Sequence, residues 1–356
     1  MWRDFKYLLA YIIPGFVAHA LYFKGIWSFN GFTVAFVIVP IVELFFTGNT
    51  VNLTEKEEET QKGRWFFDLM LYLNVPMLVG LTTWYFYTIA YVPLELYEFV
   101  GLTTTVGMYL GGLGINVAHE LGHRSNKFAQ LMSHILLIPN LYLHFFVEHN
   151  RGHHVNIATN KDPATSRLNE PIYAFYIRSV VYSYISGWEL EARRLNQAGK
   201  SWLNVGNAMI WYQLIQVAYL AIIGVLLGPF YVLMAVIVGI LGFMMLETVN
   251  YIEHYGLQRR KLDSGRYERV MPWHSWNCNH DVGRILLYEL TRHSDHHYKA
   301  TRKYQTLRHF EDTPMLPAGY PGSMILALFP PLWFKIMNPK VKYYRGLAAQ
   351  QAIEAT

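Results

Sequence analysis

The sequence of 356 residues is poor in cysteine and in charge. Its single cysteine, Cys278, excludes a disulfide scaffold, a CxxC redox pair and an iron–sulfur or rubredoxin-type site built by this chain alone. Charged residues make up 15%, whereas a soluble domain carries about 25%. Hydrophobic residues make up 53% and aromatic residues 16%, which excludes a disordered chain and is typical of proteins that meet a membrane interface. Because no repeat or low-complexity linker divides it, the chain is predicted to form a single membrane domain over residues 1–356.

Six apolar stretches are long enough to cross a bilayer, which takes about 20 residues in a helix. They cover residues 7–23, 29–48, 66–90, 99–118, 207–227 and 230–252. No charged residue lies between Lys200 and Glu247, and Gly228-Pro229 breaks this run into two crossings. The first stretch is followed by no small-residue cleavage site, so it is expected to be a permanent span. The sequence therefore predicts an all-α integral membrane protein with six transmembrane helices.

The distribution of Lys and Arg predicts the orientation of these helices. Among the 30 Lys and Arg residues, Lys24 is the one that falls in a loop on the far side. The positive-inside rule then places both termini and the segments 119–206 and 253–356 in the cytoplasm. The shorter apolar stretches 131–146 and 323–334 are expected to lie in the membrane interface or to re-enter it.

Nine of the 15 histidines fall in short clusters at or just beyond the cytoplasmic ends of the predicted spans. Within the clusters, histidines stand three or four positions apart, a spacing that brings side chains on one helical face within reach of one ion. The nine are His119, His123, His149, His153, His154, His254, His293, His296 and His297. They are too many for one ion and suit two, so the sequence predicts a cytoplasmic histidine-rich di-metal cap. Imidazole binds zinc, copper, iron and nickel alike, so the ligand type alone does not name the metal.

Four carboxylates inside these motifs are candidates for a second shell around the metal ions. A shell made only of histidine leaves the ionic charge uncompensated, which is costly at a membrane edge. A carboxylate that accepts the second N–H of a ligand histidine would offset this charge and fix the ring. The candidates are Glu120, Glu148, Glu253 and Asp295.

One cluster also fits a different class of enzyme. His119-Glu120-Leu121-Gly122-His123 satisfies the HExxH pattern of zinc proteases, in which the glutamate is the general base. A zinc protease needs three protein ligands and leaves six further clustered histidines without a role. The remaining histidines lack paired spacing and are expected to be polar groups of the protein interior. They are His19, His134, His144, His274, His280 and His309.

The histidine clusters resemble the histidine boxes of the integral-membrane fatty-acid desaturase and hydroxylase superfamily. Longer matches resemble the bacterial alkane 1-monooxygenases within it, although Thr291 stands where that family usually has glutamine. These matches are Asn250-Tyr251-Ile252-Glu253-His254-Tyr255-Gly256-Leu257, Arg266-Tyr267-Glu268-Arg269-Val270, His274-Ser275-Trp276-Asn277 and Arg292-His293-Ser294-Asp295-His296-His297. The resemblance extends from the first span to about residue 335.

The resemblance implies a non-haem di-iron enzyme of the bacterial inner membrane that uses O2 to hydroxylate the terminal methyl group of a linear alkane. It further implies that the nine histidines bind the two iron ions and that a separate rubredoxin, served by its reductase, delivers the electrons. The chain has no GxGxxG after a strand and no cysteine quartet, so it must borrow electrons. No nucleic-acid partner is expected. Candidate cations for docking an acidic donor are Arg259, Arg260, Lys261, Arg302, Lys303 and Arg308.

Two related reactions stay open at this point, an aromatic-methyl (xylene-type) hydroxylation and a lipid desaturation, because both use the same boxes. An alkane has no polar handle, so its site is expected to be an apolar tunnel that ends at the metal ions. Gly107, Gly111, Gly112 and Gly114 precede His119 on the fourth predicted span. Close packing of helices is the preferred interpretation of these glycines, and room for the substrate is the alternative.

Overall fold

The computed structural model describes residues 2–46 and 48–354, and within these residues it is helical, with two isolated β-bridges and no strand. The first α-helices are α1 (Ile12–Phe23), α2 (Asn30–Thr33), α3 (Val39–Glu43), α4 (Glu55–Lys62), α5 (Trp65–Tyr72), α6 (Asn74–Tyr91), α7 (Leu96–Tyr109), α8 (Asn116–Gly122) and α9 (Lys127–Leu137). They are followed by α10 (Phe145–Glu148), α11 (His154–Asn156), α12 (Ile172–Gln197), α13 (Ala208–Leu227), α14 (Pro229–His254), α15 (Asp281–Leu286), α16 (His293–Tyr298), α17 (Tyr320–Ala327) and α18 (Pro330–Glu354). The all-α prediction is confirmed for this part of the chain.

Three π-helical and four 3₁₀-helical segments connect or interrupt these helices. The π-helical segments are Val34–Ile38, Leu110–Ile115 and His149–His153. The 3₁₀-helical segments are Trp2–Tyr11, Gly25–Phe29, Pro272–His274 and Tyr304–Thr306. A π-turn shifts the side chains that follow it around the helix axis and is often found at functional sites.

Five helical runs are long and apolar enough to cross a membrane. They are Asp4–Phe23, Gly25–Glu43, Trp65–Tyr91, Ala208–Leu227 and Pro229–His254. They correspond to five of the six predicted spans, although the second ends at Glu43 rather than at residue 48 because Leu44 and Phe45 form a turn. Thr47, inside that predicted span, lies outside the described residues. The loop between the last two spans is tight because Gly228 takes a φ of 108° and Pro229 starts the next helix.

The predicted fourth span, 99–118, is helical but is less apolar than the other five. The run from Leu96 to Gly122 consists of α7, a π-helical turn and α8, and it contains three consecutive threonines and several glycines. Most of its residues are buried because it packs against α1, α6 and α14 at the centre of the bundle. A central helix has little contact with lipid, so its sequence does not need the hydropathy of the outer spans.

Candidate metal centre

The nine clustered histidines lie together in two groups. One ligand nitrogen from each member of a group lies within 4.8 Å of those of the other members. The first group contains His119, His123, His149, His154 and His296, and the second contains His153, His254, His293 and His297. The rings of His154 and His297 have centroids 4.5 Å apart, so the two groups adjoin each other.

The five Nε2 atoms of the first group form a closed ring of short contacts. The distances are 2.9 Å from His119 to His296, 3.2 Å from His296 to His154, 3.0 Å from His154 to His149, 3.1 Å from His149 to His123 and 3.2 Å from His123 to His119. Each Nε2 carries either one proton or one lone pair. Five such atoms therefore cannot all be satisfied by hydrogen bonds to one another, whereas a central cation can accept a lone pair from each.

The second group has the same arrangement with four imidazoles. The Nε2 of His293 lies 3.2 Å from that of His254 and 2.8 Å from that of His297, and His153 lies 3.3 Å from His297. The Oε2 atom of Glu253 is 3.2 Å from the Nε2 of His293. This donor set fits a metal ion, and the two adjoining groups fit two.

Burial lowers the pKa of several of the clustered histidines and keeps their rings neutral. It lowers the pKa of His123 to about 3, helped by the positive charge of Arg124. It lowers the pKa values of His149, His154, His293, His296 and His297 well below the usual range, and the neighbouring imidazoles add to the effect. A metal ion binds the deprotonated ring. The histidines whose pKa is lowered are therefore in the deprotonated form at neutral pH.

The π-helical turn at His149–His153 explains why neighbouring histidines join different groups. The N–H of His154 donates to the carbonyl of His149, five residues earlier. This hydrogen bond brings His154 beside His149 in the first group, while His153 turns toward the second. In α16, by contrast, the ordinary spacing of four puts His293 and His297 together, and His296 on another face joins the first group.

The motif at residues 274–277 holds in place the third histidine cluster along the chain, formed by His293, His296 and His297 in α16. The N–H of Ser294 donates to the Oδ1 of Asn277 at 2.8 Å, and the amide of Asn277 donates back to the Ser294 hydroxyl. The backbone N–H of Trp276 donates to the carbonyl of Glu253 at 2.8 Å. These bonds connect α16 to the end of α14, which carries His254. The sequence predicted this motif only through its resemblance to the family. It did not predict that the motif connects α16 to α14.

The four carboxylates that were predicted to accept a hydrogen bond from the outer N–H of a histidine are buried near the histidines. Their hydrogen bonds, however, are formed with other groups. Glu120 accepts from Arg124 at 2.7 Å and from the backbone N–H of Tyr304 at 3.2 Å. These two hydrogen bonds occupy the carboxylate that a zinc protease would use as its general base. Asp295 accepts from the backbone N–H of Arg308 at 2.7 Å. Burial, with the nearby Asp162 and Glu247 carboxylates, raises the pKa of Glu148 well above its usual range. Glu253 accepts from the Tyr320 hydroxyl and faces the ligand nitrogens.

Asp162 is the carboxylate that bonds to the outer nitrogen of a clustered histidine in the described part of the chain. Its Oδ2 lies 2.9 Å from the Nδ1 of His153 and also accepts from the Thr165 hydroxyl. Its Oδ1 accepts from the backbone N–H of Ala164 at 3.0 Å. A proton on Nδ1 leaves the Nε2 lone pair free to bind a metal. Sequence reasoning missed this residue because it lies outside the histidine clusters; the turn-forming run Asn160-Lys161-Asp162-Pro163 was the available signal.

An apolar cavity of about 140 Å³ leads to both histidine groups. Its walls come from the first, second and last candidate spans and from the central helical run, with Phe16, Val34 and Leu113 among them. His119, His149 and His293 lie at its surface. The cavity has the character that the sequence predicted for a tunnel that ends at the metal ions.

The glycines before His119 divide between packing and the cavity. A Cβ on Gly111 would lie 2.2 Å from the carbonyl oxygen of Gly242, and one on Gly107 would lie 2.5 Å from the Cβ of Leu241. Both positions therefore require close approach to α14. Gly112 faces the cavity, where a Cβ would lie 3.2 Å from the flexible Cε of Met245.

The six histidines without paired spacing lie outside the two groups. The Nδ1 of His19 is 3.1 Å from the Asn30 amide, and the Nε2 of His134 is 2.8 Å from the Tyr212 hydroxyl. His309 bonds to Asn279 at 2.9 Å. For these three, the geometry is that of polar groups paired inside the protein.

Most of the cations considered for partner docking are already paired. Arg302 and Arg308 contact Glu58, and Lys303 lies 3.0 Å from Asp68. Arg259 donates to the carbonyl oxygens of Glu268 and Val155. These side chains therefore also stabilise the protein around the third histidine cluster.

Comparison with known proteins connects this geometry to a family. The family model for fatty acid desaturases matches residues 95–323. The chain is 37% identical over 327 residues to alkane 1-monooxygenase 2 of Pseudomonas aeruginosa, covering 91% of this chain and 87% of that protein. It is 37% identical to the alkane 1-monooxygenase of Ectopseudomonas oleovorans, covering 90% of this chain and 82% of that protein.

A relative with a different substrate in its name is more distant. The hydroxylase component of the xylene/toluene monooxygenase of Pseudomonas putida is 28% identical over 346 residues. That match covers 93% of this chain and 88% of that protein. The similarity is therefore greater to proteins named for alkanes than to the one named for an aromatic substrate.

Proposed function

The chain belongs to the fatty acid desaturase family and, within it, to the alkane 1-monooxygenases, and on that premise we propose that it hydroxylates linear alkanes at the terminal carbon. The observation that carries the proposal is the position of two adjoining histidine groups at the end of an apolar cavity. A purely apolar chain can be oriented only by the shape of such a cavity. Alkane hydroxylation is favoured over xylene-type hydroxylation by the higher identity to the alkane enzymes.

The nine histidines would hold two iron ions, five imidazoles on one and four on the other. Iron suits this donor set, because imidazole is among its usual ligands. When bound, the two ions would supply the activation of O2 that attack on an unactivated C–H bond requires. Asp162 would hold His153 in the tautomer that presents Nε2 to the ion. Glu120, Glu148 and Asp295 would offset positive charge from their buried positions nearby.

The cavity would perform the selection and positioning of the substrate. Its apolar walls exclude water, which protects the oxidant from side reactions. A linear chain that enters end-on presents its terminal methyl group first to His119, His149 and His293. Terminal rather than internal hydroxylation follows from this geometry.

We further propose six membrane crossings, with the run Leu96–Gly122 as the fourth, and both termini in the cytoplasm of a bacterium. This topology agrees with the positions of Lys and Arg along the chain. The di-iron centre then faces the cytoplasm, where a soluble reductant is available. The apolar cavity extends from it toward the bilayer, in which alkanes dissolve.

A rubredoxin is the proposed electron donor, and its docking site is expected over the most accessible ligand histidines. His123 and His154 are only partly buried, and Val155 beside them is 62% exposed. The carbonyl of Val155 accepts from Arg259, so an exposed apolar residue stands next to a cation above the first histidine group. An acidic protein with an apolar centre would fit this surface.

Replacing Val155 with Asp is expected to raise the KM for rubredoxin about tenfold, because it adds a like charge at the contact. The kcat at saturating rubredoxin should stay near that of the wild type. Val51→Asp, at another exposed valine, is the matched control. An unchanged KM in Val155→Asp would place the docking surface elsewhere.

Product analysis tests the reaction itself. The purified full-length protein, with reduced rubredoxin and O2, is expected to convert octane to 1-octanol. The same assay should be run with xylene and with a lipid acyl substrate. Formation of an alkene would indicate a desaturase, preferential formation of a benzylic alcohol would indicate the xylene-type reaction, and zinc with peptide cleavage would indicate a protease.

A further inference from the structure

Helix α12 carries an exposed apolar stripe along its first half. Tyr173, Ile177, Val181 and Ile185 recur every four residues and are all exposed, Ile177 by 72%. The opposite face packs into the protein through buried residues such as Phe175 and Ser179. Such a stripe on one side of a helix requires a partner or a bilayer interface.

The position of α12 identifies the bilayer as that partner. The Tyr176 hydroxyl is 2.7 Å from that of Thr248, and the ring of Phe175 packs on Tyr251 with centroids 5.4 Å apart. Thr248 and Tyr251 belong to the last turns of the span Pro229–His254. The first half of α12 therefore lies beside the end of a membrane-spanning helix.

The apolar surface continues from α12 onto the next segment along the membrane edge. The Tyr173 hydroxyl donates to the carbonyl of Leu328 at 2.8 Å. Leu328, Phe329 and Leu332 are themselves exposed. A continuous apolar rim at the level of a span end is the expected footprint of a protein on the inner surface of a bilayer.

A polar cavity of about 280 Å³ opens next to this rim. Tyr182 belongs to both, since it is an exposed residue of α12 and lines the cavity. Lys161 and Arg167 also line it, and their side chains are exposed and have no ion pair or hydrogen bond within the described residues. Arg178, by contrast, bonds to Glu170 and to two carbonyl oxygens. Two unpaired cations thus face a cavity at the membrane edge.

We propose that this cavity binds the anionic headgroup of a phospholipid whose acyl chains lie along the apolar stripe of α12. Lys161 and Arg167 would bind the phosphate, and Tyr182 would lie at the boundary between headgroup and acyl chain, where tyrosine is favoured. The Asp162 carboxylate at the cavity wall does not compete for the cations, because both of its oxygens already accept hydrogen bonds within the protein. Neither cation belongs to the proposed metal centre, although Asp162 in the cavity wall bonds to His153.

Lipid retention tests the site. The full-length protein is reconstituted in nanodiscs containing equal amounts of phosphatidylglycerol and phosphatidylcholine, released into mild detergent and analysed by native mass spectrometry. Wild-type protein is expected to retain phosphatidylglycerol preferentially. The double variant Lys161→Gln/Arg167→Gln should lower the ratio of retained phosphatidylglycerol to phosphatidylcholine at least about fivefold. The control Lys56→Gln/Lys127→Gln, at two other exposed lysines, should retain the wild-type ratio.

Three results would overturn the proposal. One is a wild-type protein without preference for the anionic lipid, and another is an unchanged ratio in the double variant. The third is displacement of the lipid by millimolar inorganic phosphate, which would indicate a site for a soluble anion. A double variant that keeps its lipid but loses affinity for rubredoxin would instead make this surface a protein-docking site.

The depth of α12 is a second, independent measurement. Cys278 is the chain's only cysteine and is buried, so single-site spin labels can be introduced at Ile177→Cys and, as a control, at Asn196→Cys on the same helix. In nanodiscs, the label at 177 should be relaxed more strongly by O2 than by a water-soluble nickel chelate, and the label at 196 should show the reverse. Equal exposure of both labels to the nickel chelate would contradict a bilayer-covered stripe.

Discussion

At the scale of single residues, the hydrogen bond from His153 to Asp162 is the contact that most directly fixes the ring of a proposed metal ligand. It sets the tautomer of His153, whereas the Nδ1 atoms of His254, His293 and His297 have no partner within the described residues. A carboxylate behind a ligand histidine raises the basicity of the ring and restricts its rotation. His153 is therefore expected to be a stronger and better-oriented donor than its neighbours.

Replacing Asp162 with Asn is expected to weaken metal binding by about ten- to a hundredfold, the usual cost of losing such a partner. Iron per chain should be measured after equilibration with a graded series of chelator concentrations. Asp263→Asn, at an exposed aspartate away from the histidines, is the control. Wild-type iron retention in Asp162→Asn would show that the hydrogen bond has no part in holding the metal.

The sequence predicted which histidines come together, but not which residues form hydrogen bonds with the outer nitrogens of their rings. The nine rings could be predicted to lie together because side chains three or four positions apart share one face of a helix. Asp162 could not be predicted from the sequence, since its role depends on a turn that brings residues 159–165 back onto His153. For the same reason, Glu120 and Asp295 lie inside the motifs but bond to Arg124, Tyr304 and Arg308 rather than to a ligand ring.

At the scale of elements, short irregular helices create the centre. The π-turn at His149–His153 separates two adjacent histidines into two groups, and the short helix α16 divides its three histidines in the same way. The π-turn could not be predicted from the sequence, because it differs from an α-helix by a single hydrogen-bond register. The predicted spacing of three or four thus named the histidines that come together, without assigning each to a group.

Two adjacent glycines of the central helical run, Gly111 and Gly112, both line the cavity, but Gly111 also packs against the backbone of α14. Gly111→Ala should lower the melting temperature and the yield of folded protein, because its Cβ would overlap the backbone of Gly242. Gly112→Ala should leave the melting temperature nearly unchanged, since Met245 is flexible, but should reduce kcat/KM for longer alkanes more than for shorter ones. Thermal melting and a substrate-length series measure the two effects. Equal effects of the two changes on stability would contradict this division.

At the scale of the whole molecule, the bundle brings nine imidazoles together beside an apolar cavity, with three of them in its wall. The outer spans could be predicted from hydropathy because they face lipid. The run Leu96–Gly122 is central, so its threonines and glycines reflect packing and cavity shape rather than contact with the bilayer. The roles of the basic residues were harder to predict. Arg302, Lys303 and Arg308 stabilise the fold through ion pairs that the sequence does not reveal.

The metal-free protein is expected to lose stability as the pH falls. Burial lowers the pKa of His123 to about 3, whereas an unfolded histidine titrates near 6.5. The unfolded chain therefore binds more protons between these values, so the stability present above about pH 6.5 is lost as the pH falls toward 3. Each such histidine contributes a slope of up to about 1.4 kcal/mol per pH unit.

Thermal melting of the chelator-treated protein at about pH 7.5 and about pH 5.5 measures this effect. The melting temperature should be lower at the acidic value. The iron-loaded protein should show a smaller difference, because a bound metal competes with protons for the same nitrogens. A melting temperature of the metal-free protein that does not change with pH would mean that these rings are not buried in the neutral form.

The central claim is that the two histidine groups form a di-iron centre. It is tested most directly by the metal content of the purified full-length protein, measured by elemental analysis beside that of a variant with His153, His254, His293 and His297 all replaced by Ala. The account expects about two irons per wild-type chain and about one in the variant, because the first group keeps all five of its ligands. A single zinc and no iron in the wild-type protein would contradict it.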